Sequence, residues 1–203
     1  MIIHQLFPEP LYFSKLERVL TQEELKIINE HEKKTCKNAG NSRTKDSYVL
    51  EHKALKDLKK DLHTKVMDYF DKVICTDNPI TPYITQSWIN YTKSDQYHHR
   101  HSHMNSLISG VFYINADKKV DSITFHKFFP ESSLTLFKTK YNVFNSSSCT
   151  FPVETGDLFL FRSSLEHAVD IKKGNNIRIS LSFNIFIKGT VGNKADLTEL
   201  IIK

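Results

Sequence analysis

The sequence predicts a mainly β domain, an antiparallel sandwich or open barrel braced on one side by helices. Three observations lead there. From Ile80 onward, short period-two segments rich in β-branched and aromatic residues follow one another with turn signals between them. Before Ile80, two stretches instead carry helical spacing. A chain of 203 residues with 39% hydrophobic content is long enough for one sizeable core and too short for two generous ones. No linker-like stretch or internal repeat interrupts it, so residues 1–203 read as a single domain. Residues 1–79 form an N-terminal arm with supporting helices, and residues 80–203 form the β core.

Taken in order, residues 2–14 alternate weakly and carry Pro8 and Pro10, which suits an edge strand or extended arm. Thr21 followed by Glu24 makes a capping box, and Leu25 and Ile28 then share one face of a helix running to about Lys34. Residues 37–46 are polar and read as a loop. Leu55, Leu58, Leu62, Val66, Tyr69 and Val73 recur at helical spacing, predicting a second helix. Strands are expected at 82–92, 107–115, 121–128, 133–138, 157–161 and 177–187, with a further one near 149–153.

Composition excludes several function classes. The net charge of +5 comes from 28 basic and 23 acidic residues, and acids interleave with the lysines, as in residues 56–61. Without a basic stripe, nucleic-acid binding is not expected. No stretch reaches the roughly 18 apolar residues a membrane span needs, and residues 1–10 lack a signal-peptide layout. Three widely spread cysteines (Cys36, Cys75, Cys149) indicate no disulfide framework, so a reducing cytoplasm is the expected compartment. The six glycines, at 40, 110, 156, 174, 189 and 192, are too far apart for a dinucleotide or P-loop motif. Ten histidines point instead to metal or acid–base chemistry.

The densest cluster is Tyr97-His98-His99-Arg100-His101-Ser102-His103. Residues i and i+2 of a strand project from one face, so His101 and His103, or equally His99 and His101, could present two imidazoles to one ion. His167 follows an apolar strand, Leu158–Phe161, and offers a third ligand. Three histidines leave coordination positions open on a transition metal, as catalysis requires. Arg178 lies 11 positions further on, and strand alternation puts Arg178, Ser180, Ser182 and Asn184 on one face. An Arg beside a Ser there can hold a carboxylate by a charge-assisted pair and a hydroxyl hydrogen bond. Gln86, Trp88 and Asn90 share a face of the strand over 82–92, a candidate polar pocket wall, and Tyr97 is a candidate hydrogen-bond donor to a cosubstrate.

The ordered set H-x-H, a later His, then R-x-S resembles the Fe(II)/2-oxoglutarate-dependent oxygenases. More narrowly, the chain resembles a family of 2-oxoglutarate/iron oxygenases found in marine bacteria and phages. The matching pieces are Leu6-Phe7-Pro8, Ser87-Trp88-Ile89-Asn90, His101-Ser102-His103 leading into Ser109-Gly110-Val111-Phe112-Tyr113, and Gly156–Phe161. They continue through Leu165-Glu166-His167, Arg178–Asn184 and Gly189-Thr190-Val191-Gly192. The resemblance covers nearly the whole chain and selects His101 and His103 as the H-x-H pair. It implies a double-stranded β-helix (a cupin-like jelly roll) in which His101, His103 and His167 bind Fe(II). It also implies that 2-oxoglutarate chelates the metal and sets its far carboxylate on Arg178 and Ser180, with Asn90 and Tyr97 as further cosubstrate contacts. O2 would then be the oxidant in hydroxylation of an unidentified small-molecule or protein substrate. His103 stands where the wider superfamily has Asp or Glu, which leaves the metal a full +2 before the cosubstrate binds. Phe161-Arg162-Ser163-Ser164 stands where the narrower family carries Phe-Pro-Ser-Trp; Arg162 is expected to face solvent.

Two other readings compete. A cupin-like three-His dioxygenase would not use 2-oxoglutarate, but the cupin glutamate shortly after H-x-H is missing, since Met104-Asn105-Ser106-Leu107 follow. A non-enzymatic β-sandwich binding protein would merely carry surface histidines. The oligomeric state is open between monomer and homodimer, and substrate specificity is expected to reside in loops 37–46, 93–98 and 139–148.

Overall fold

A computed structural model of the chain describes residues 1–127 and 136–203. Two helices, α1 (Gln22–Glu32) and α2 (Lys56–Tyr69), precede most of the strands. The strands are β1 (Leu11–Lys15), β2 (Thr35–Lys37), β3 (Ser42–Thr44), β4 (Ile80–Thr92), β5 (His98–His101) and β6 (Ile108–Asn115). They continue as β7 (Ser122–His126), β8 (Ser148–Pro152), β9 (Asp157–Arg162), β10 (His167–Val169), β11 (Arg178–Val191) and β12 (Leu200–Ile202). The larger sheet runs β1-β9-β6-β11-β4-β3-β2, with β12 pairing β11, and the smaller runs β5-β10-β7-β8. Every pairing between these strands is antiparallel.

The larger sheet has two faces of different chemistry. Its outer face presents Ile89, Tyr91, Ile108, Phe112, Leu158, Leu160, Leu181 and Phe183 to the helices, where Ile28, Leu55, Leu58, Leu62 and Val66 complete the main core. Its inner face packs Val111, Tyr113, Phe159 and Phe161 against Ile123, Phe125 and Val153 to make a smaller second core under the other sheet. The polar residues of that inner face occupy the rest of the space between the sheets.

The capping box forms as expected: Thr21 Oγ1 accepts from the Glu24 backbone N–H, and the Glu24 carboxylate accepts from that of Thr21. The apolar stripe of the second helix is buried from Leu55 to Tyr69, and its last residues close in a π turn over Phe70–Ile74. The strands over 82–92, 107–115, 121–128, 149–153, 157–161 and 177–187 appear as β4, β6, β7, β8, β9 and β11 with shifted ends. Residue 128 and most of the strand expected at 133–138 lie outside the described residues, and the described part of the latter, 136–138, is not a strand.

Two expectations are corrected. The stretch 37–46 is not wholly a loop: β2 and β3 form a short hairpin that extends the larger sheet past β4. Polar composition hid it, because its strands are edge segments with little apolar surface to bury. Of residues 2–14, only the end belongs to a strand, since the prolines keep the preceding chain out of the ladder and β1 begins at Leu11.

Gly110 lies opposite Phe183 in the β6–β11 ladder, and a Cβ there would come within 2.3 Å of the Phe183 ring. The close approach lets the ring lie flat across the strand. Gly110→Ala is therefore expected to destabilise the protein by about 1–3 kcal/mol through overpacking, read as a lower urea midpoint at unchanged slope.

Candidate metal and cosubstrate site

His101 ends β5 directly opposite His167 of β10, which in turn lies opposite Phe125 of β7. Strand register alone thus brings two sequence-distant histidines side by side. His103 sits just past β5, where its backbone N–H donates to the Ser163 carbonyl at 2.8 Å and fixes the loop against the end of β9. The side-chain nitrogens of His101, His103 and His167 all lie within 4.8 Å of one another. His98, His99 and His101 also cluster, so both alternatives left open by strand spacing survive geometrically, sharing His101.

Hydrogen bonding separates the two groups. The Nδ1 of His101 faces the His99 carbonyl at 2.8 Å, that of His103 the Asn184 Oδ1 at 2.6 Å, and that of His167 the Leu165 carbonyl at 3.1 Å. Each of these oxygens accepts, so each Nδ1 must carry the proton and each Nε2 a lone pair. The His101 and His103 Nε2 atoms then stand only 3.1 Å apart with no proton between them. Two imidazole nitrogens bound to one first-row ion at about 2.1 Å and a right angle lie about 3.0 Å apart. The donor set fits a divalent metal, whose charge removes the repulsion between the lone pairs.

Burial supports neutrality. It pushes the His103 imidazole down to about 4 and lowers those of His101 and His167 as well, with neighbouring histidines adding to the effect. Around His103 a hydroxyl chain runs from Ser106 through Ser163 to Ser109, whose Oγ lies 2.9 Å from His103 Nδ1. Hydrogen-bonded partners of this kind orient ligand rings.

Across the inner face, antiparallel register places side chains in rows. Thr92 pairs Arg178, Asn90 pairs Ser180 and then Tyr113, Trp88 pairs Ser182, and Asn184 pairs Ser109. Arg178, Ser180 and Asn90 are therefore brought together as expected. Arg178 is only 2% exposed, donates to Thr92 Oγ1 at 3.1 Å, and keeps a buried Nε without a partner. The Asn90 side chain donates to Ser182 Oγ while its own Oδ1 is also buried and unpartnered. A buried guanidinium with unspent donors calls for an anion. Tyr97 is placed differently: its ring lies on Gly40, half-exposed. Arg162 faces solvent and forms an ion pair with Glu9.

Asn184, Ser109 and Thr92 had no assigned role in the sequence reading. Alternation already put Asn184 on the Arg178 face, and that was the available signal; Ser109 and Thr92 are ordinary strand residues until register is known.

Residues 86–184 match the model of a family described as "Putative 2OG-Fe(II) oxygenase". The matched residues are a little under half of the chain, and over them it is similar to that family. Among solved structures, it is similar to HygX from Streptomyces hygroscopicus with nickel, 2-oxoglutarate and hygromycin B bound. There the TM-score is 0.59 at 12% identity, over 87% of this chain and 82% of that one. It is similar to the epimerase SnoN of nogalamycin biosynthesis, with TM-score 0.59 at 10% identity over 89% and 81% of the two chains. It is also similar to a prolyl hydroxylase from Trichoplax adhaerens, with TM-score 0.57 at 11% identity over 87% and 83%. These likenesses establish the double-stranded β-helix fold. No curated protein sequence matches the chain. No helix among the described residues is long and apolar enough to cross a membrane.

The three lowered histidines give the metal-free protein a defined acid response. An imidazole that titrates near 6.5 in the unfolded chain but near 4 when folded, as at His103, binds more protons unfolded between those values. Stability of the apoprotein is full above that window and falls as pH drops through it. The melting temperature of chelator-treated protein should decline from about pH 6.5 toward pH 4; a flat profile would mean the rings are solvated.

Proposed function

We propose that the chain is an Fe(II)- and 2-oxoglutarate-dependent oxygenase in which His101, His103 and His167 hold the Fe(II), that Arg178 and Ser180 hold the far carboxylate of 2-oxoglutarate, and that the reaction is hydroxylation. The observation that carries the reading is the convergence of one ring nitrogen from each of three histidines whose Nδ1 atoms all face oxygen acceptors. Three neutral ligands suit a borderline metal such as iron and leave its remaining positions for the cosubstrate and O2. Iron and 2-oxoglutarate held by these residues would supply the activation of O2, with one oxygen atom going to succinate as CO2 is lost and the other to the substrate C–H bond.

The chain's own residues prepare this chemistry. The Arg178 donors and the Ser180 hydroxyl orient the cosubstrate from the same strand that carries Asn184, so metal and carboxylate sites are built on one rigid ruler. Asn184 and the serine chain hold His103 in the tautomer that keeps Nε2 available. The Phe125 and Phe161 rings pack against His167, and Phe159 lies against Phe125. Asn90 lies on the same face, where its amide N–H donates to Ser182 Oγ; Tyr97, lying on Gly40, belongs to the rim. The cupin-like three-His alternative, which would not use 2-oxoglutarate, would leave the buried Arg178 donors without purpose.

Anaerobic protein given Fe(II) and 2-oxoglutarate should develop a weak metal-to-ligand charge-transfer band and release succinate when O2 is admitted. Absence of both would overturn the assignment. Arg178→Met should raise the 2-oxoglutarate concentration needed for the band by a factor of about 100 or more while iron still binds. Asn184→Ala should weaken iron binding by about 10–100-fold, measured by competition with a chromophoric chelator, and leave the requirement for 2-oxoglutarate unchanged.

A further inference from the structure

The sequence has five arginines, at 18, 43, 100, 162 and 178. Three have carboxylate partners: Arg18 pairs with Glu24 and Asp61, Arg100 with Glu166, and Arg162 with Glu9. The two without an ion pair among the described residues are Arg178 and Arg43, and both belong to the inner face of the larger sheet. Register shows this directly, since Arg43 of β3 lies opposite Asn90, which lies opposite Ser180 and then Tyr113. Arg178 sits one row along, at Thr92; Arg43 sits on β3, next to the edge strand β2.

Arg43 also lines a cavity of about 280 Å³ that opens onto the triad. Asn38 lies beside it, Trp88 and His103 form the adjoining wall, and His98 and His99 stand on the other side. Among the described residues no acidic side chain lines this space, and Arg43 is the only one there with a permanent charge. The Trp88 ring lies 5.5 Å from that of His103, so an occupant resting on the indole is carried next to the metal ligands. The guanidinium is half-buried, and its one hydrogen bond among the described residues spends Nη1 on the Thr44 carbonyl. The rest of its donor fork remains for a ligand.

We propose that Arg43 is a substrate-binding residue and that the substrate is an anionic small molecule, whose carboxylate or phosphate pairs with Arg43 while the carbon to be oxidised rests between Trp88 and the metal. The proposal deepens the assignment of Arg178 to the cosubstrate: one unpaired arginine serves each of two anions, at opposite ends of one chamber. It also gives the β2–β3 hairpin a purpose, since that hairpin carries Asn38 and Arg43 to the mouth of the site.

Trp88 is the only tryptophan, so its emission reports this cavity without background. Protein loaded with Zn(II) and 2-oxoglutarate would be titrated with sulfate, a phosphate-like dianion that coordinates metals weakly, with acetate, and with uncharged acetamide. Saturable changes are expected with the two anions and not with acetamide. Binding should be at least tenfold weaker in Arg43→Met and intermediate in Arg43→Lys, which retains the charge and guards against a folding defect. Absence of a saturable anion response, or equal affinity in wild type and both variants, would overturn the proposal. So would competition between the anion and 2-oxoglutarate, because Arg43 would then belong to the cosubstrate site. Failure of 2-oxoglutarate to raise the melting temperature of wild-type protein more than that of Arg178→Met would sink the Arg178 assignment alone, since the anion titration also runs on Zn(II) protein without cosubstrate.

Discussion

Three imidazole lone pairs pressed into one buried corner are an unfavourable arrangement that only a cation relieves. The fold enforces it anyway. Register sets His101 against His167, a backbone hydrogen bond to Ser163 brings His103 into the same space, and oxygen acceptors behind the rings stop any of them from turning its proton inward. On the proposed assignment, a metal ion would relieve the repulsion among these lone pairs, and part of the affinity for it would be prepared during folding rather than at the moment of binding.

That arrangement is possible because the larger sheet keeps its two faces apart. The outer face and the helices supply most of the hydrophobic burial, which frees the inner face to carry Arg178, Asn90 and Asn184 at little risk to the fold. Arg178 Nε is buried on the inner face without a partner, where a dianionic cosubstrate would meet it. Stability and chemistry are drawn from opposite sides of the same strands.

Much of this was legible in the sequence, and the reason is periodicity. Apolar spacing located α2 because Leu58, Leu62 and Val66 must share a stripe, and alternation put Arg178, Ser180, Ser182 and Asn184 together because a strand has no other way to project them. The candidate histidines stood out for the same reason, although spacing alone could not choose between His99 and His103. The long-range contacts that Asn184, Ser109 and Ser163 make around His103 are encoded in no local pattern. The β2–β3 hairpin was missed because edge strands of polar residues leave no hydrophobic signature, and with it went the position of Arg43. Tyr97, adjacent in sequence to the histidines, was drawn away by its packing on Gly40.

The long strand β11 carries Arg178 at one end of the site and Asn184 at the other, while Leu181, Phe183 and Ile185 fill the main core from its opposite face. Side chains there alternate with a period of two, so a single inserted or deleted residue between Arg178 and Ile185 would exchange the faces of everything beyond it. The polar row would turn toward the helices and the apolar row toward the metal. Loops can lengthen and diversify around such a strand, but the strand itself can change only by substitution. In a lineage of enzymes built on this frame, length variation should accumulate everywhere except along β11.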